Sequence, residues 1–243
     1  MSRCVEVLLS PPPSSELVRG AHVAVVDVLR ATTTIAVALA NGAEGVIAVA
    51  EPQDAVALGN RLGRERVLFC GERDAVRIEG FDLDNSPASF TPQHVAGKML
   101  VMTTTNGTRA LRAVQTAASV RTAALVNRLA VADALANEPG DVVIVCAGEA
   151  NGFALEDALG AGALVDALLA QIGDVELRDG ARAAALLYRS VSSRLADAIA
   201  SADHAQSLAY KGFARDVTTS AALDTLNVVP LLRDGILVAA GTT

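Results

Sequence analysis

The stretch His22-Val23-Ala24-Val25-Val26-Asp27-Val28-Leu29-Arg30-Ala31-Thr32-Thr33-Thr34 decides the fold. Val23 to Val26 is apolar at every position, so a strand there needs cover on both faces, which marks a parallel sheet between layers of helix. From Thr33 to Ala40 the pattern becomes helical, and Asn41-Gly42 ends the helix as a C-cap signal. Between strand and helix stand a carboxylate, Asp27, and a guanidinium, Arg30.

The same unit recurs outward from this stretch. Apolar runs at His22–Val28, Gly45–Ala50, Arg66–Cys70, Lys98–Thr103, Val120–Leu125 and Val142–Cys146 read as strands. Helix patterns follow at Pro52–Leu62, Thr108–Ala117 and Leu129–Ala136, with Pro52 suited to a first helical turn. Alternation of this kind predicts an α/β fold, with a mainly parallel or mixed sheet and helices on both faces. After Gly152 the chain turns helical, over Phe153–Leu169, Asp179–Leu195, Ala196–Tyr210 and Asp216–Leu223. A last apolar run, Ile236–Ala240, returns as a strand. The whole of 1–243 reads as one α/β unit; if it divides into two interlocked lobes, the boundary falls near 139–152. The span Gly71–Gly97 has little periodicity, and long unstructured loops in compact domains tend to be functional; a plain surface excursion is the alternative.

Composition narrows the function. Apolar residues make up 51% of the 243, aromatics 3%, Trp is absent and the net charge is −7. Nucleic acid is excluded on that balance, because binding a phosphate backbone needs a concentrated basic face. An acidic protein that binds a small anion must bring positive charge in locally, through a few Arg side chains, helix N-termini or a bound cation. Cys4, Cys70 and Cys146 have no zinc spacing, and their sparse odd number fits a reducing cytoplasm. No secretory pattern is read from Met1 to Pro13, and the apolar runs are too short to span a bilayer. The expectation is a soluble cytoplasmic protein whose Ala-rich helices after Gly152 offer faces for homo-oligomer packing.

In open α/β sheets ligands bind beyond the carboxyl ends of the strands. Polar residues and Gly collect there: Asp27 to Thr34, Gly71-Glu72-Arg73, Thr103 to Arg109, Asn127-Arg128 and Ala147-Gly148-Glu149. In the loop Thr104-Thr105-Asn106-Gly107-Thr108, Gly107 lets backbone approach a ligand, the threonines offer hydroxyls and a helix begins at once, with Arg109 as a further fork for phosphate. Helix capping alone is the plainer reading of the same threonines. Asp27 lies in an apolar strand and needs compensation, by a metal or by Arg30. Glu72, Glu156 and Asp157 are further carboxylates near strand ends, and hard oxygens without a His or Cys cluster favour Mg²⁺ over zinc.

Familiar phosphatase and hydrolase sites are missing. Cys146 is followed six residues on by Gly152 rather than Arg, which removes the Cys-x5-Arg cradle. Leu29 stands two residues after Asp27, which removes the Asp-x-Asp nucleophile, and no GxSxG elbow, Walker loop or HExxH occurs. Cys146 reads as a small buried residue.

Taken together, Val26-Asp27-Val28-Leu29-Arg30-Ala31-Thr32-Thr33-Thr34, Gly71-Glu72-Arg73, Gly80 to Pro87, Thr103 to Ala110 and Cys146-Ala147-Gly148 resemble, in order and spacing, the motifs of the 2-phosphosulfolactate phosphatase family. The resemblance implies a three-layer α/β/α fold and a Mg²⁺-dependent phosphatase. Its substrate would be a small phosphorylated anion, 2-phospho-3-sulfolactate, and its product sulfolactate on a route to coenzyme M. On this reading Asp27, Arg30 and Glu72 are catalytic, and Asp27, Glu72 and Asp157 hold the metal. Thr32, Thr33, Asn85, Ser86, Thr104, Thr105, Asn106, Gly107, Thr108, Arg109 and Gly148 bind substrate. Asp84 stands where the family usually has Gly, an added carboxylate beside the expected anion pocket. A non-catalytic phosphometabolite-binding or regulatory protein on the same scaffold is the alternative.

Overall fold

The computed structural model describes residues 3–149, 152–173 and 175–241. Its strands are β1 (Arg3–Leu8), β2 (His22–Val26), β3 (Gly45–Ala48), β4 (Val67–Arg73), β5 (Val76–Arg77), β6 (Met99–Thr103), β7 (Ser119–Ala123), β8 (Val142–Cys146), β9 (Val175–Leu177), β10 (Pro230–Arg233) and β11 (Ile236–Ala239). Its helices are α1 (Ala31–Ala40), α2 (Pro52–Leu62), α3 (Pro92–Val95), α4 (Gly107–Arg112), α5 (Arg128–Ala136), α6 (Leu155–Leu169), α7 (Asp179–Val191), α8 (Leu195–Ala200), α9 (Asp203–Tyr210) and α10 (Ala214–Ser220).

All described strands join one sheet in the order β5-β4-β6-β3-β11-β10-β7-β2-β8-β1-β9. On one side β4, β6 and β3 run parallel; on the other β7, β2, β8, β1 and β9 run parallel. Between them lies the antiparallel hairpin β10–β11, which pairs antiparallel with β7 through Leu231 and with β3 through Leu237. Three reversals in succession leave the two parallel blocks running in opposite directions. The hairpin turns on Asp234 and Gly235, both at positive φ (50° and 82°), as a two-residue loop matched to strand twist requires.

Burial along β2 shows why the fold has three layers. Ala24 and Val26 face a core built with α5, α6 and α7, whereas Val23 and Val25 face a second core with α1 and α4. On the other block Leu100 and Met102 of β6 join the second core, and Val101 turns to the opposite face, where Phe69, Phe81 and α2 residue Ala55 close a third cluster. This is the expected three-layer α/β/α arrangement, with a mixed sheet and a helix-rich C-terminal part.

Small residues bring α6 and α7 together. A Cβ on Gly162 would lie 2.0 Å from the Ala184 carbonyl oxygen, so the two backbones touch there. Ala181, Ala184 and Ala185 are buried in that contact. The Ala-rich faces of α6 and α7 that meet here cover one another.

Several elements differ from expectation. β1, β5, β9 and β10 were not read from the sequence, and the helix expected over Thr108–Ala117 stops at Arg112. The span Gly71–Gly97 is well tied down: Phe81 and Phe90 are buried, and the Asp82 carboxylate accepts the Phe69 amide at 2.7 Å and pairs with Arg64 at 2.7 Å. No described helix is long and apolar enough to cross a membrane.

Candidate active site

The chain leaving β2 and the chain leaving β6, five strands apart in the sheet, meet at one place. A Cβ on Gly107 would lie 2.6 Å from the Ala31 Cβ and 2.9 Å from Asp27 Oδ2, so only glycine lets α4 pack against this carboxylate. Gly107→Ala is expected to push the Thr104–Asn106 wall away from Asp27. Displacements near 1 Å can lower turnover on the order of 10²-fold. Steady-state phosphate release from the variant checks it, and activity within about twofold of the parent would refute the close fit.

Around that meeting point lies a cleft of about 300 Å³, lined by Asp27, Leu29, Arg30, Glu72, Asp74, Ala75, Asn85, Thr104, Thr105, Asn106, Glu149, His204, Ser207, Leu208 and Lys211. Six expected site residues beyond Asp27 are thus brought together: Arg30, Glu72, Asn85, Thr104, Thr105 and Asn106. A larger depression of about 730 Å³ lies on the far side of the Thr104–Thr105 wall, lined by Arg73, Arg109 and Arg112 among others. It contains none of the buried carboxylates, and we place the chemistry in the smaller cleft for that reason.

Local hydrogen bonds explain how each cleft group is held. Asp27 Oδ1 accepts the Ala31 amide at 3.1 Å, while no described donor reaches Oδ2. Glu72 Oε1 accepts the amide (3.1 Å) and hydroxyl (3.2 Å) of Thr105, and its Oε2 accepts the Ala75 amide at 2.7 Å. These bonds fix the carboxylate to the opposite wall. Asn85 is buried, and its side-chain Oδ1 has no described partner. Arg30 donates to Asp216 Oδ2 at 2.8 Å and lies over the Phe213 ring at 4.5 Å. Asp216 in turn accepts the Ser86 hydroxyl at 2.7 Å.

Other expected residues serve elsewhere. The Thr32 hydroxyl donates to the Asp27 carbonyl at 2.8 Å, and the Thr33 hydroxyl donates to the Val28 carbonyl at 2.9 Å. Both close the turn after β2 and are turned away from the cleft. Thr108 donates its hydroxyl to the Thr104 carbonyl at 2.8 Å, which ties the first turn of α4 back to the loop, and Arg109 lines the neighbouring depression. With α4 only six residues long, the polar side chains of the loop must carry more of the recognition than the helix end. Ser86 is bound to Asp216 and is absent from the cleft lining. Asp84 accepts the Ser86 amide at 2.9 Å and also stays out of the cleft, so the added carboxylate shapes a turn.

Asp157 lies outside the cleft lining. Its Oδ1 accepts the Val28 amide at 2.8 Å and its Oδ2 the Gly148 amide at 3.0 Å, so it clasps the ends of β2 and β8. Gly148, at φ 64°, makes the tight turn that presents its amide. Burial, then the nearby charges of Asp27 and Glu156, hold the Asp157 carboxyl well above the usual range. Asp157 does not line the cleft, whereas Glu72, held by backbone amides in the same way, does.

Electrostatics set the cleft apart. Burial pushes the Asp27 carboxyl up from 3.8 to about 6, with Glu72 adding to the rise and the Ala31 amide, His204 and Arg30 opposing it. Glu156 is raised too, chiefly by burial. Burial likewise pushes the Cys146 thiol well up, which leaves it a core residue and no nucleophile. Charges lining the cleft are Asp27, Glu72, Asp74 and Glu149 against Arg30 and Lys211: four negative and two positive, a balance of −2 before His204 is counted.

Eight lining residues were not among the expected site residues: Leu29, Asp74, Ala75, Glu149 and four more from one element. Those four, His204, Ser207, Leu208 and Lys211, come from α9 and the residue after it, spaced i, i+3, i+4 and i+7, so that one helix face closes the cleft. Lys211 pairs with Asp74 at 2.5 Å, and His204 Nδ1 lies 3.2 Å from Glu149 Oε1.

Residues 11–235 match the family described as 2-phosphosulpholactate phosphatase. Similar curated proteins carry the name "Probable 2-phosphosulfolactate phosphatase". One from Symbiobacterium thermophilum is 40% identical over 231 residues, covering 95% of this chain and 99% of its own. One from Caldanaerobacter subterraneus subsp. tengcongensis is 40% identical over 216 residues, 89% of each chain. One from a Synechococcus strain is 46% identical over 221 residues, covering 89% of this chain and 91% of its own.

Proposed function

The chain belongs to the 2-phosphosulfolactate phosphatase family of phosphoric monoester hydrolases, and from that premise we propose that its cleft hydrolyses 2-phospho-3-sulfolactate to sulfolactate and phosphate with the help of Mg²⁺. One observation carries the metal part: the cleft is lined with a charge balance of −2, yet it must take a polyanion. A divalent cation resolves both. Hard carboxylate oxygens suit Mg²⁺, which commonly uses one or two carboxylates and keeps its waters. Asp27 and Glu72 supply these. Asp157 is left out because it does not line the cleft.

When bound, Mg²⁺ supplies neutralisation of phosphoryl charge and activation of water. The remaining work falls to the chain. Thr104, Thr105 and Asn106 offer polar groups to the phosphoryl oxygens from the β6 wall. Arg30, oriented by Asp216 and Phe213, holds positive charge at the floor. Lys211 is the other cation lining the cleft and faces the substrate's second anionic end; Arg73 and Arg109 lie behind the Thr104–Thr105 wall. Leu29 and Leu208 narrow the cleft and limit water.

The expected result is phosphate release from 2-phosphosulfolactate with Mg²⁺ present, lost in EDTA by more than about 10²-fold and restored on adding Mg²⁺. Undiminished turnover in EDTA would remove the metal. Saturable binding of the substrate with no phosphate release under any condition would favour a phosphometabolite-binding protein instead.

A further inference from the structure

Hydrolysis of an alkyl phosphate has a second difficulty besides attack at phosphorus: the departing alkoxide is strongly basic. An acid in the cleft must supply its proton as the P–O bond breaks. Among the lining groups Arg30 does not give up its proton, and Lys211 is tied to Asp74. Asp27 and Glu72 are needed as carboxylates. The threonine and serine hydroxyls are too weakly acidic. Imidazole is the side chain suited to exchanging a proton near neutral pH.

We propose that His204, oriented by Glu149, is the general acid that protonates the leaving ester oxygen. This rests on the phosphatase reading above. His204 lines the cleft that holds Asp27 and Glu72, on the wall facing them from α9. A carboxylate can only accept, so at 3.2 Å from Glu149 Oε1 the proton on that side sits on Nδ1. Fixing Nδ1–H leaves Nε2, which has no described partner, as the nitrogen that gives or takes a proton; a carboxylate that orients a catalytic imidazole through the other nitrogen is a recurring arrangement. In the step, the oxygen of an attacking water forms the new P–O bond and its surplus proton leaves to solvent. The electron pair of the breaking P–O bond passes to the ester oxygen, which takes the Nε2 proton of the doubly protonated ring, and the neutral ring regains a proton from solvent as products leave.

The test compares two substrates in the full-length enzyme with Mg²⁺. p-Nitrophenyl phosphate releases a stabilised phenolate that needs no proton, while 2-phosphosulfolactate releases an alkoxide that does. His204→Gln is expected to lose on the order of 10²–10⁴-fold in kcat on the alkyl ester but to stay within about threefold on the aryl ester. Glu149→Gln, which keeps the ring but weakens its tether, is expected to show the same selective loss at smaller size, and it carries the test if His204→Gln fails to fold by circular dichroism. Equal losses on both substrates, or none on either, would overturn the role of His204. A parent enzyme inactive on both esters would instead refute the phosphatase reading, and the general acid with it.

Discussion

Asp27→Asn is expected to abolish turnover, by about 10³-fold or more, and at the same time to stabilise the metal-free fold at neutral pH. The loss follows from its position: Oδ2 is a carboxylate oxygen of the cleft that no described donor reaches, 2.9 Å from where a Gly107 Cβ would stand, and so open to a cation or the phosphoryl group. The gain follows from linkage. Burial holds the carboxyl near 6 in the fold against 3.8 in an unfolded chain. Below about pH 4 both states carry it protonated and it contributes nothing. As pH rises from about 4 to 6 the unfolded chain ionises first, and folding stability falls. Above about 6 the penalty is complete, about 3 kcal/mol by conversion of that difference. Asparagine never ionises, and its amide oxygen still accepts the Ala31 amide. In EDTA near pH 7.5 the variant should melt about 6–12 °C above the parent, given roughly 2–4 °C per kcal/mol at this length. The gap should close below pH 4 and shrink when Mg²⁺ binds the parent. A variant with full turnover, or one that melts lower at both pH values, would contradict the assignment of Asp27.

The largest loss of stability is expected from Asp216→Ala. Arg30 is buried with 3% exposure, and Asp216 is its acid partner at 2.8 Å. Removing the partner leaves a buried guanidinium uncompensated and also strips the Ser86 hydroxyl of its acceptor. Breaking one side of a buried pair typically costs about 3–5 kcal/mol, which corresponds to a drop in Tm of roughly 6–20 °C. Turnover should fall as well, since Arg30 lines the cleft and Asp216 sets its direction. Asp216→Asn keeps an acceptor for Ser86 and should fall between. Thermal melts and phosphate release on the three proteins check this; an alanine variant as stable as the parent would mean that Arg30 finds compensation elsewhere.

Much of the architecture was legible because it is written in short-range patterns. The continuous apolar run of β2, the Asn41-Gly42 stop and the Pro52 start all correspond to observed boundaries, with Glu51 and Asp54 completing a capping box at α2. The central hairpin was half read: Asp234-Gly235 is a strong two-residue turn signal, but Pro230–Arg233 is short and mixed, and nothing local says that it lies between β7 and β3. The site shows the same division. Asp27, Glu72 and the Thr104–Asn106 loop follow strands and were found by that rule. Thr32 and Thr33 obey the rule equally, yet their hydroxyls close their own turn, a choice set by side-chain direction. The polar face of α9 follows no strand, and His204 looks isolated until the helix is laid across the cleft. Asp157 also lies near strand ends, but it clasps the chain after β2 and β8 outside the cleft lining.

The reversal at β10–β11 also has a consequence in time. Asp27 belongs to one parallel block and Glu72 and Thr104 to the other, and within the sheet those blocks touch only through a hairpin that ends at Ala239. A nascent chain can therefore assemble each half early, with β3 and β7 exposing unpaired edges. The last strands complete the sheet between the two halves of the pocket. Such distant pairing is slow to form, and partly synthesised chains, with those edges open, are the species most prone to aggregate.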